Sequence, residues 1–239
     1  MKLSNNKIFI TGGATGIGLG LTKKFIEEGN TVIICGRRES ALKEAAAQFP
    51  TVITKISDLS NEAGRVELYE WVKENHNDLN VLINNAGIQN WMNIADADFY
   101  DKAETEVETN ILAPVHLAEL FIGLPKLDTI INVTSGLAFT PFSKVPVYCA
   151  TKAFMRSFTI SLRHMLKDKV EVIEMIPPAL NTDLGGTGIH SEHPSVSDFV
   201  ESIFEQLKEG KTELTFGTSE GRAQANNDAI GEYVKKLNP

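Results

Sequence analysis

Short apolar segments that alternate with longer amphipathic ones are the feature that most constrains the fold of this chain. Lys7–Thr11 and Thr31–Cys35 are rich in β-branched residues and lack the polar alternation of half-buried strands. Between them, Gly16–Glu28 has a helical pattern that Gly29 closes. Strands of this kind are typical of a parallel sheet covered by helices on both faces. The sequence therefore predicts an α/β fold.

The same alternation continues along the rest of the chain. Further strands are predicted at Thr51–Ile56, Leu79–Asn84, Asp128–Thr134, Val170–Ile176 and Leu214–Gly217. Further helices are predicted at Glu39–Gln48, at Glu62–Asn75, at Phe99–Gly123 with a bend at Pro114, at Tyr148–Lys167, from the capping box Ser195–Asp198 to Glu209, and in the polar C-terminal segment. Gly185–Pro194 is predicted to be a mobile loop. Because no repeat or domain boundary is evident, residues 1–239 are expected to form a single domain with a doubly wound parallel sheet of about seven strands.

The acidic composition argues against several classes of partner. The net charge of -8 at pH 7 disfavours nucleic acid and an anionic membrane surface. No signal-peptide pattern follows Met1, and no apolar run approaches membrane-spanning length. Cys35 and Cys149 form neither a disulfide pattern nor a metal-binding pattern, and His190 and His193 lack a third ligand. We therefore expect a cytoplasmic protein without a bound metal.

A glycine-rich turn follows the first predicted strand and precedes the first predicted helix. Its sequence, Thr11–Gly18, reads Thr-Gly-Gly-Ala-Thr-Gly-Ile-Gly. Glycines permit a tight turn and let the backbone approach a pyrophosphate, which the N-terminus of a helix attracts. By itself, a glycine-rich segment can be no more than a tight turn. The position of this one between a strand and a helix favours dinucleotide binding.

Tyr148 and Lys152 lie four residues apart near the start of a predicted helix, so their side chains share one helix face. A free tyrosine has a pKa of about 10. A neighbouring ammonium stabilises the phenolate, so Lys152 is predicted to lower the pKa of Tyr148 and make its hydroxyl a usable acid or base. Taken alone, the spacing is weak evidence, because most such pairs are only a packed ring beside a solvated lysine.

Taken together, these motifs resemble those of the short-chain dehydrogenase/reductase family. Three residues separate Gly12 from Gly16, a wider spacing than in the commonest dinucleotide fingerprint. Asn84-Asn85-Ala86-Gly87 matches a motif that closes the family's fourth strand, and Ser135 lies thirteen residues before Tyr148, as the family's serine does. The resemblance covers nearly the whole chain, and within the family it extends to the DltE-type bacterial oxidoreductases. It implies a Rossmann-type fold.

The resemblance also implies site residues and their roles. The implied catalytic residues are Asn110, Ser135, Tyr148 and Lys152. The tyrosine would exchange a proton with the substrate oxygen, the serine would bind that oxygen, the lysine would bind the nicotinamide ribose, and the asparagine would hold a water for proton relay. The implied cofactor-binding residues are Gly12, Thr15, Gly16, Ile17, Gly18, Arg37, Arg38, Asp58, Leu59, Asn85, Ala86, Gly87, Tyr148, Lys152, Pro177 and Thr182.

The end of the second strand indicates which cofactor is preferred. A carboxylate at this point binds the ribose 2′-hydroxyl of NAD, whereas an arginine accommodates the 2′-phosphate of NADP. Here Gly36 is followed by Arg37 and Arg38, and a guanidinium matches a phosphate. Against this, Thr15 stands where many NADP-dependent members carry a basic residue. We expect NADP(H) rather than NAD(H), with Arg37 as the main ligand. Pro178 stands where the family usually has a glycine after Pro177, and a second proline stiffens this turn at the nicotinamide end.

The expected function is NADP(H)-dependent interconversion of a carbonyl compound and an alcohol. A non-catalytic dinucleotide-binding redox sensor is the alternative from another class, and an epimerase or dehydratase is a weaker one. The candidate pocket residues are largely apolar and favour a small apolar or aromatic aldehyde or ketone, although several of them could equally belong to the core or to a subunit interface. They are Trp91, Met92, Leu137, Phe139, Phe142, Leu180 and Leu184. The family resemblance implies a homodimer or homotetramer.

Overall fold

One seven-stranded parallel sheet is the centre of the structure, a computed structural model that describes residues 1–238. The strands are β1 (Lys7–Thr11), β2 (Thr31–Gly36), β3 (Ile53–Ile56), β4 (Val81–Asn84), β5 (Thr129–Val133), β6 (Glu171–Ile176) and β7 (Glu213–Thr215). Their order across the sheet is β3-β2-β1-β4-β5-β6-β7. Ile8 pairs with Val32 of β2 on one side and with Val81 of β4 on the other. The predicted doubly wound α/β fold is thus confirmed.

Helices connect the strands and cover both faces of the sheet. They are α1 (Gly16–Glu27), α2 (Glu39–Gln48), α3 (Glu62–Asn75), α4 (Phe99–Val107), α5 (Ala113–Phe121), α6 (Pro146–Met165), α7 (Val196–Lys208), α8 (Thr218–Ala223) and α9 (Asn227–Leu237). Helix α7 begins as the capping box predicts, because Ser195 Oγ accepts a hydrogen bond from the backbone N–H of Asp198. The segment before it, including Gly185–Pro194, is a series of turns.

Successive side chains along each strand enter two different hydrophobic cores. In β1, Ile8 and Ile10 face a core shared with α1 and α7, whereas Phe9 faces a core shared with α3 and α5. All three side chains are inaccessible to solvent. This burial on both sides explains why the strands carry apolar residues at consecutive positions rather than at every second one.

Two predicted helices differ from the structure. The expected long helix Phe99–Gly123 is α4, a π-helical segment (Glu108–Leu112) and α5. Pro114 lies in the first turn of α5, just after the π-helical segment, where its missing N–H removes no bond of a regular helix. The bend at Pro114 stays a prediction. The polar C-terminal segment forms two helices, α8 and α9, rather than one. No helix in the described part of the chain has the length and apolar character that a membrane crossing requires.

The strand order reverses between β1 and β4, which leaves a crevice at the carboxyl ends of these strands. Ligands of open α/β sheets bind at such a reversal. The glycine-rich turn follows β1, the Asn84–Gly87 motif begins at the last residue of β4, and Ser135 lies just after β5. The sheet thus places three separate sequence motifs at one edge.

Candidate active site

The turn between β1 and α1 requires glycine at several of its positions. Gly12 and Gly16 have φ angles of 64° and 52°, in the left-handed region that other residues rarely adopt. A side chain at Gly18 would place its Cβ 2.2 Å from the carbonyl oxygen of Gly12. Thr15 and Gly16 are exposed, and the Thr15 side chain does not cap α1. The first N–H groups of the helix are therefore available to an anion, and Ile17 lies beside them, so these residues fit a dinucleotide pyrophosphate.

Asn85 and Thr11 fix the shape of this turn. Asn85 Nδ2 donates hydrogen bonds to the carbonyl oxygens of Thr11 (2.9 Å) and Gly12 (3.3 Å). Thr11 Oγ1 accepts the backbone N–H groups of Asn85 and Ala86, each at 2.9 Å. The Asn85 side chain therefore supports the glycine turn. Thr11 is a supporting residue that sequence reasoning missed, although its place at the end of β1 was a usable signal.

The ends of β2 and β3 bring Arg37 close to Asp58. Burial acts to raise the pKa of Asp58, but hydrogen bonds from Ser60 and the charge of Arg37 outweigh it, so the pKa lies below its usual value. Arg37 and Arg38 are both exposed, and no ion pair ties either of them to a carboxylate within residues 1–238. Their guanidinium groups are thus accessible. The Leu59 side chain is buried in the core, so only its backbone could contact a cofactor.

Thr182 lies opposite the glycine turn. A Cβ built on Gly16 would be 3.5 Å from Thr182 Cγ2, so the segment after β6 approaches the start of α1. Pro177 is buried and its carbonyl oxygen accepts the N–H of Gly136, 2.9 Å away. This bond ties the end of β6 to the residue after Ser135. The structure therefore brings the predicted nicotinamide-end residues to the same edge as the predicted catalytic residues.

The four predicted catalytic side chains are all buried at the carboxyl end of β5 and the start of α6. Ser135, Tyr148 and Lys152 are 7%, 5% and 5% exposed, and Asn110 is 2% exposed. Gly87, the end of the Asn84–Gly87 motif, joins them: a Cβ built on it would be 3.3 Å from Asn110 Oδ1 and 3.6 Å from Lys152 Nζ. The structure thus places Asn110 beside Lys152.

The pKa of Tyr148 differs in direction from the sequence expectation. Burial raises it well above 10, and the side chain of Ser135, within hydrogen-bonding reach, only partly offsets the increase. The ammonium of Lys152 donates a hydrogen bond to the carbonyl oxygen of Val133, 2.9 Å away, rather than to the phenol. Burial lowers the pKa of Lys152 itself to about 8. The tyrosine in this structure is a protonated acid at neutral pH.

Asn110 lies in the π-helical segment between α4 and α5. Its Oδ1 accepts the N–H of Ile88 (2.9 Å), and its Nδ2 donates to the carbonyl oxygen of Ile88 (2.8 Å) and to Thr151 Oγ1 (3.2 Å). The π turn directs this side chain inward, and π segments often occur at functional sites. Asn110 therefore anchors the segment that follows Gly87 to the helix that carries Tyr148.

The predicted pocket residues separate into two groups. Leu137, Phe142 and Leu184 pack against the buried cluster that contains Tyr148. Trp91 joins them through an edge-to-face contact with Phe142, with ring centroids 6.0 Å apart. These four side chains make the surroundings of the tyrosine apolar.

The other three predicted pocket residues are not part of this cluster. Leu180 is part of the hydrophobic core shared with α1 and α7, so its assignment to the pocket is wrong. Met92 is buried, and Phe139 stacks under Arg156, whose guanidinium carbon is 4.3 Å from the ring centre. These positions follow strands or flank loops, where apolar residues serve core and pocket equally well.

Glu106 is a residue near the site that sequence reasoning did not identify. It is fully buried, and its Oε1 accepts the backbone N–H of Asn90, 2.5 Å away. Burial raises the pKa of Glu106 to about 7, although the bonds from Asn90 act in the opposite direction. The available signal was its spacing: it stands one helical turn before Asn110.

Comparison with known proteins agrees with this geometry. The family model of the short chain dehydrogenases matches residues 6–192. The chain is 43% identical to the uncharacterized oxidoreductase DltE of Bacillus subtilis, over 100% of this chain and 98% of that one. It is 30% identical to the NADP-dependent 3-hydroxy acid dehydrogenase YdfG of Salmonella typhi, over 77% of this chain and 75% of that one.

A solved structure has the same fold. It is a short chain dehydrogenase from Burkholderia cenocepacia in complex with NADP, with a TM-score of 0.85 and 24% identity, covering 98% of this chain and 99% of the other. The family match extends over most of the chain, and the DltE match over all of it. The chain therefore belongs to the short-chain dehydrogenase family and resembles DltE over its whole length.

Proposed function

We propose that this protein is an NADP(H)-dependent oxidoreductase that reduces a small apolar or aromatic aldehyde or ketone to the alcohol. The observation that carries the proposal is the convergence of Ser135, Tyr148 and Lys152, all buried, at the sheet edge that also bears the glycine-rich turn. A buried acid, a second hydroxyl and a cation at one place form a site suited to carbonyl chemistry.

The glycine-rich turn would hold the pyrophosphate, and Asp58 and the backbone of Leu59 would meet the adenine end. Ala86 and Gly87 would lie along the cofactor, and Pro177 and Thr182 would meet its nicotinamide end. When bound, NADPH supplies the hydride. Every further task falls to side chains of this chain.

Tyr148 would act as the general acid. Its hydroxyl is protonated at neutral pH, so the residue can donate a proton to the oxygen that becomes the alcohol. Ser135 would hydrogen-bond the same oxygen and fix its position.

Lys152 and Asn110 would support the acid. Lys152 would bind the nicotinamide ribose and, when protonated, would stabilise the phenolate that the proton transfer leaves behind. Asn110 would keep the proton path open beside Lys152 and, through its bonds to Ile88, hold the adjoining loop. These roles rest on the family resemblance together with the positions described above.

The preference for NADP(H) rests on Arg37 and Arg38. Both are exposed at the end of β2, and Gly36 occupies the position at which a carboxylate would favour NAD. The relative YdfG is named an NADP-dependent enzyme, which agrees with this preference. The Asp58 carboxylate near Arg37 would orient the guanidinium, and it would not take the place of the 2′-phosphate of NADP as the partner of Arg37.

The apolar surroundings of Tyr148 support an apolar substrate. Leu137, Phe142 and Leu184 pack near the tyrosine, and Trp91 contacts Phe142. YdfG is named for 3-hydroxy acids, which carry a carboxylate, so an acidic substrate is the natural comparison in any test. An apolar pocket discriminates strongly against a charged group that it leaves unpaired.

Exposed aromatic side chains on α4 and α6 support a homodimer or homotetramer. Tyr100 on α4 is 72% exposed and Phe154 on α6 is 45% exposed. Burying such residues between copies of the chain would remove apolar surface from water. A cytoplasmic location stays a prediction.

A substrate panel tests the proposal. Purified protein is mixed with NADPH or NADH and with matched pairs of carbonyl compounds, one apolar and one bearing a carboxylate at the same distance, and cofactor oxidation is followed by absorbance. The expected result is faster turnover with NADPH and with the apolar member of each pair. Tight NADPH binding without turnover of any compound would instead favour the redox-sensor alternative, and faster turnover of the acids would refute the apolar pocket.

A further inference from the structure

Residues 88–92 lie outside the sheet and every helix, yet they are tied down at alternate positions. The backbone N–H of Ile88 bonds to Asn110 Oδ1 (2.9 Å), that of Asn90 to Glu106 Oε1 (2.5 Å), and that of Met92 to the carbonyl oxygen of Lys144 (3.1 Å). A two-residue repeat is the spacing of an extended chain. Asn110 and Glu106 lie one turn apart on the same helical stretch. Their side chains therefore supply the first two hydrogen-bond acceptors that hold this segment.

Gln89 and Trp91, the residues between these hydrogen-bonded positions, contact the loop that contains Gly185. Trp91 Nε1 donates a hydrogen bond to the carbonyl oxygen of Gly185, 3.1 Å away. A Cβ built on Gly185 would lie 2.7 Å from Gln89 Nε2 and 3.2 Å from Trp91 Nε1, so both side chains pack closely on that glycine. Leu184, its neighbour in sequence, packs against the cluster of Tyr148. Segment 88–92 thus connects α4 to the loop beside the catalytic tyrosine.

Glu106 is an unusual residue to serve as a buried hydrogen-bond acceptor. Its side chain is fully buried, and its Oε2 has no hydrogen-bond partner within residues 1–238. An unpaired buried carboxyl destabilises a fold, and an apolar residue would fill the same space without that penalty. Within residues 1–238, Glu106 forms its hydrogen bond with segment 88–92. From α6, Tyr148 and Cys149 are the titratable groups that face it.

We propose that Glu106 is a positioning residue for the substrate pocket. By accepting the N–H of Asn90, it holds segment 88–92 so that Trp91 bridges to Gly185 and closes the pocket beside Tyr148. The effect on substrate selection rests on the proposed carbonyl reductase function. The effect on Trp91 does not.

Fluorescence provides a readout that is independent of activity. Trp71 and Trp91 are the two tryptophans of the chain, so Trp71→Phe leaves Trp91 as the single reporter. In that background, Glu106→Leu removes the acceptor, Glu106→Gln keeps one, and Glu104→Leu changes an exposed residue on the same helix. Acrylamide quenching and fluorescence anisotropy of the protein without added cofactor report how firmly Trp91 is held.

We expect Glu106→Leu to increase quenching and lower anisotropy, while Glu106→Gln and Glu104→Leu match the parent. In turnover assays, Glu106→Leu should raise KM about fivefold for bulky substrates, the effect of one lost hydrogen bond, and change kcat little for the smallest one. Unchanged quenching in folded Glu106→Leu would overturn the proposal, and so would Glu106→Gln behaving like Glu106→Leu.

A second variant covers the case in which Glu106→Leu does not fold. Gly185→Ala disturbs the contact between Trp91 and Gly185 at the Gly185 end, because Gly185 has a φ of 81° and a Cβ there would meet Gln89. Increased quenching of Trp91 in this variant would support the bridge, and unchanged quenching would overturn it. If the parent turned over no carbonyl compound, the carbonyl reductase function would fail, while the fluorescence results would still decide the role of Glu106.

Discussion

The Nζ atom of Lys152 lies 5.6 Å from the centre of the Tyr148 ring, but it donates its hydrogen bond to the carbonyl oxygen of Val133. The two side chains share a helix face as their spacing predicts. However, the ammonium is directed to the end of β5 rather than to the phenol. Each group is therefore affected mainly by its own burial, which favours the neutral form of both.

Replacing Lys152 by methionine should stabilise the protein while removing its activity. Burial lowers the pKa of Lys152 from 10.5 to about 8. Below the folded-state pKa the buried cation therefore destabilises the fold by about 3 kcal/mol, and this penalty fades as the pH rises from 8 to 10.5. Urea unfolding of protein without added cofactor should show Lys152→Met more stable at neutral pH and equal at high pH. Lys167→Met, at an exposed position after α6, should show neither effect.

Replacing Glu106 by glutamine should have a pH dependence of the opposite sign. Burial raises the pKa of Glu106 from 4.5 to about 7, so ionisation is harder in the folded state than in the unfolded one. The stability that the protonated form contributes is present below pH 4.5 and is lost as the pH rises to 7. Relative to wild type, Glu106→Gln should gain up to about 3 kcal/mol across that interval. A stability difference between the two proteins that does not change with pH would contradict this account.

Arg37→Ser should weaken the binding of NADPH and leave the binding of NADH nearly unchanged. A charge-assisted hydrogen bond contributes about 1.5–3 kcal/mol, so KM for NADPH should rise by about 10-fold to 100-fold, whereas KM for NADH should change little. Initial rates at varied cofactor concentration measure both constants. Lys43→Ser on α2, which removes a cation whose partner is Glu39, serves as the matched control. Equal losses with both cofactors would mean that Arg37 does not recognise the 2′-phosphate.

Gly18→Ala should disrupt the glycine-rich turn. The added methyl group would lie 2.2 Å from the carbonyl oxygen of Gly12, which is backbone and cannot rotate away. We expect loss of NADPH binding, measured by fluorescence titration, together with a lower melting temperature. Gly231→Ala is the control, since no atom lies within 4 Å of its added Cβ and alanine favours a helix by about 0.5–1 kcal/mol. Normal cofactor binding by Gly18→Ala would show that the turn tolerates a side chain.

Local sequence patterns predicted most of the fold because each depends on few residues. Apolar runs such as Ile8–Ile10 identify buried strands, and Ser195 with Asp198 identifies the start of α7. The π-helical segment was not predictable, because the register of its hydrogen bonds depends on how Asn110 and Thr109 pack rather than on composition. The expectation that residues 1–239 form one domain stays a prediction.

The site was predictable where a motif is contiguous and less so where burial decides the chemistry. The spacing of Tyr148 and Lys152 predicted their common face but not their pKa shifts, which depend on desolvation by distant segments. The spacing of Glu106 from Asn110 placed it near the site, but only its packing shows that its side chain is buried. The assignment of Leu180 to the pocket was wrong for the same reason, since an apolar residue after a strand can enter the core or the pocket.

The most direct test of the central claim compares wild type with Tyr148→Phe, a change that removes one hydroxyl. NADPH binding, followed by fluorescence, should be similar in both proteins, because the glycine-rich turn and Arg37 are untouched. Carbonyl-dependent NADPH oxidation should occur in the wild type and fall by about 100-fold or more in the variant, the size of a general-acid contribution. Equal turnover by the two proteins, with equal cofactor binding, would show that Tyr148 is not the acid and would contradict the proposed mechanism.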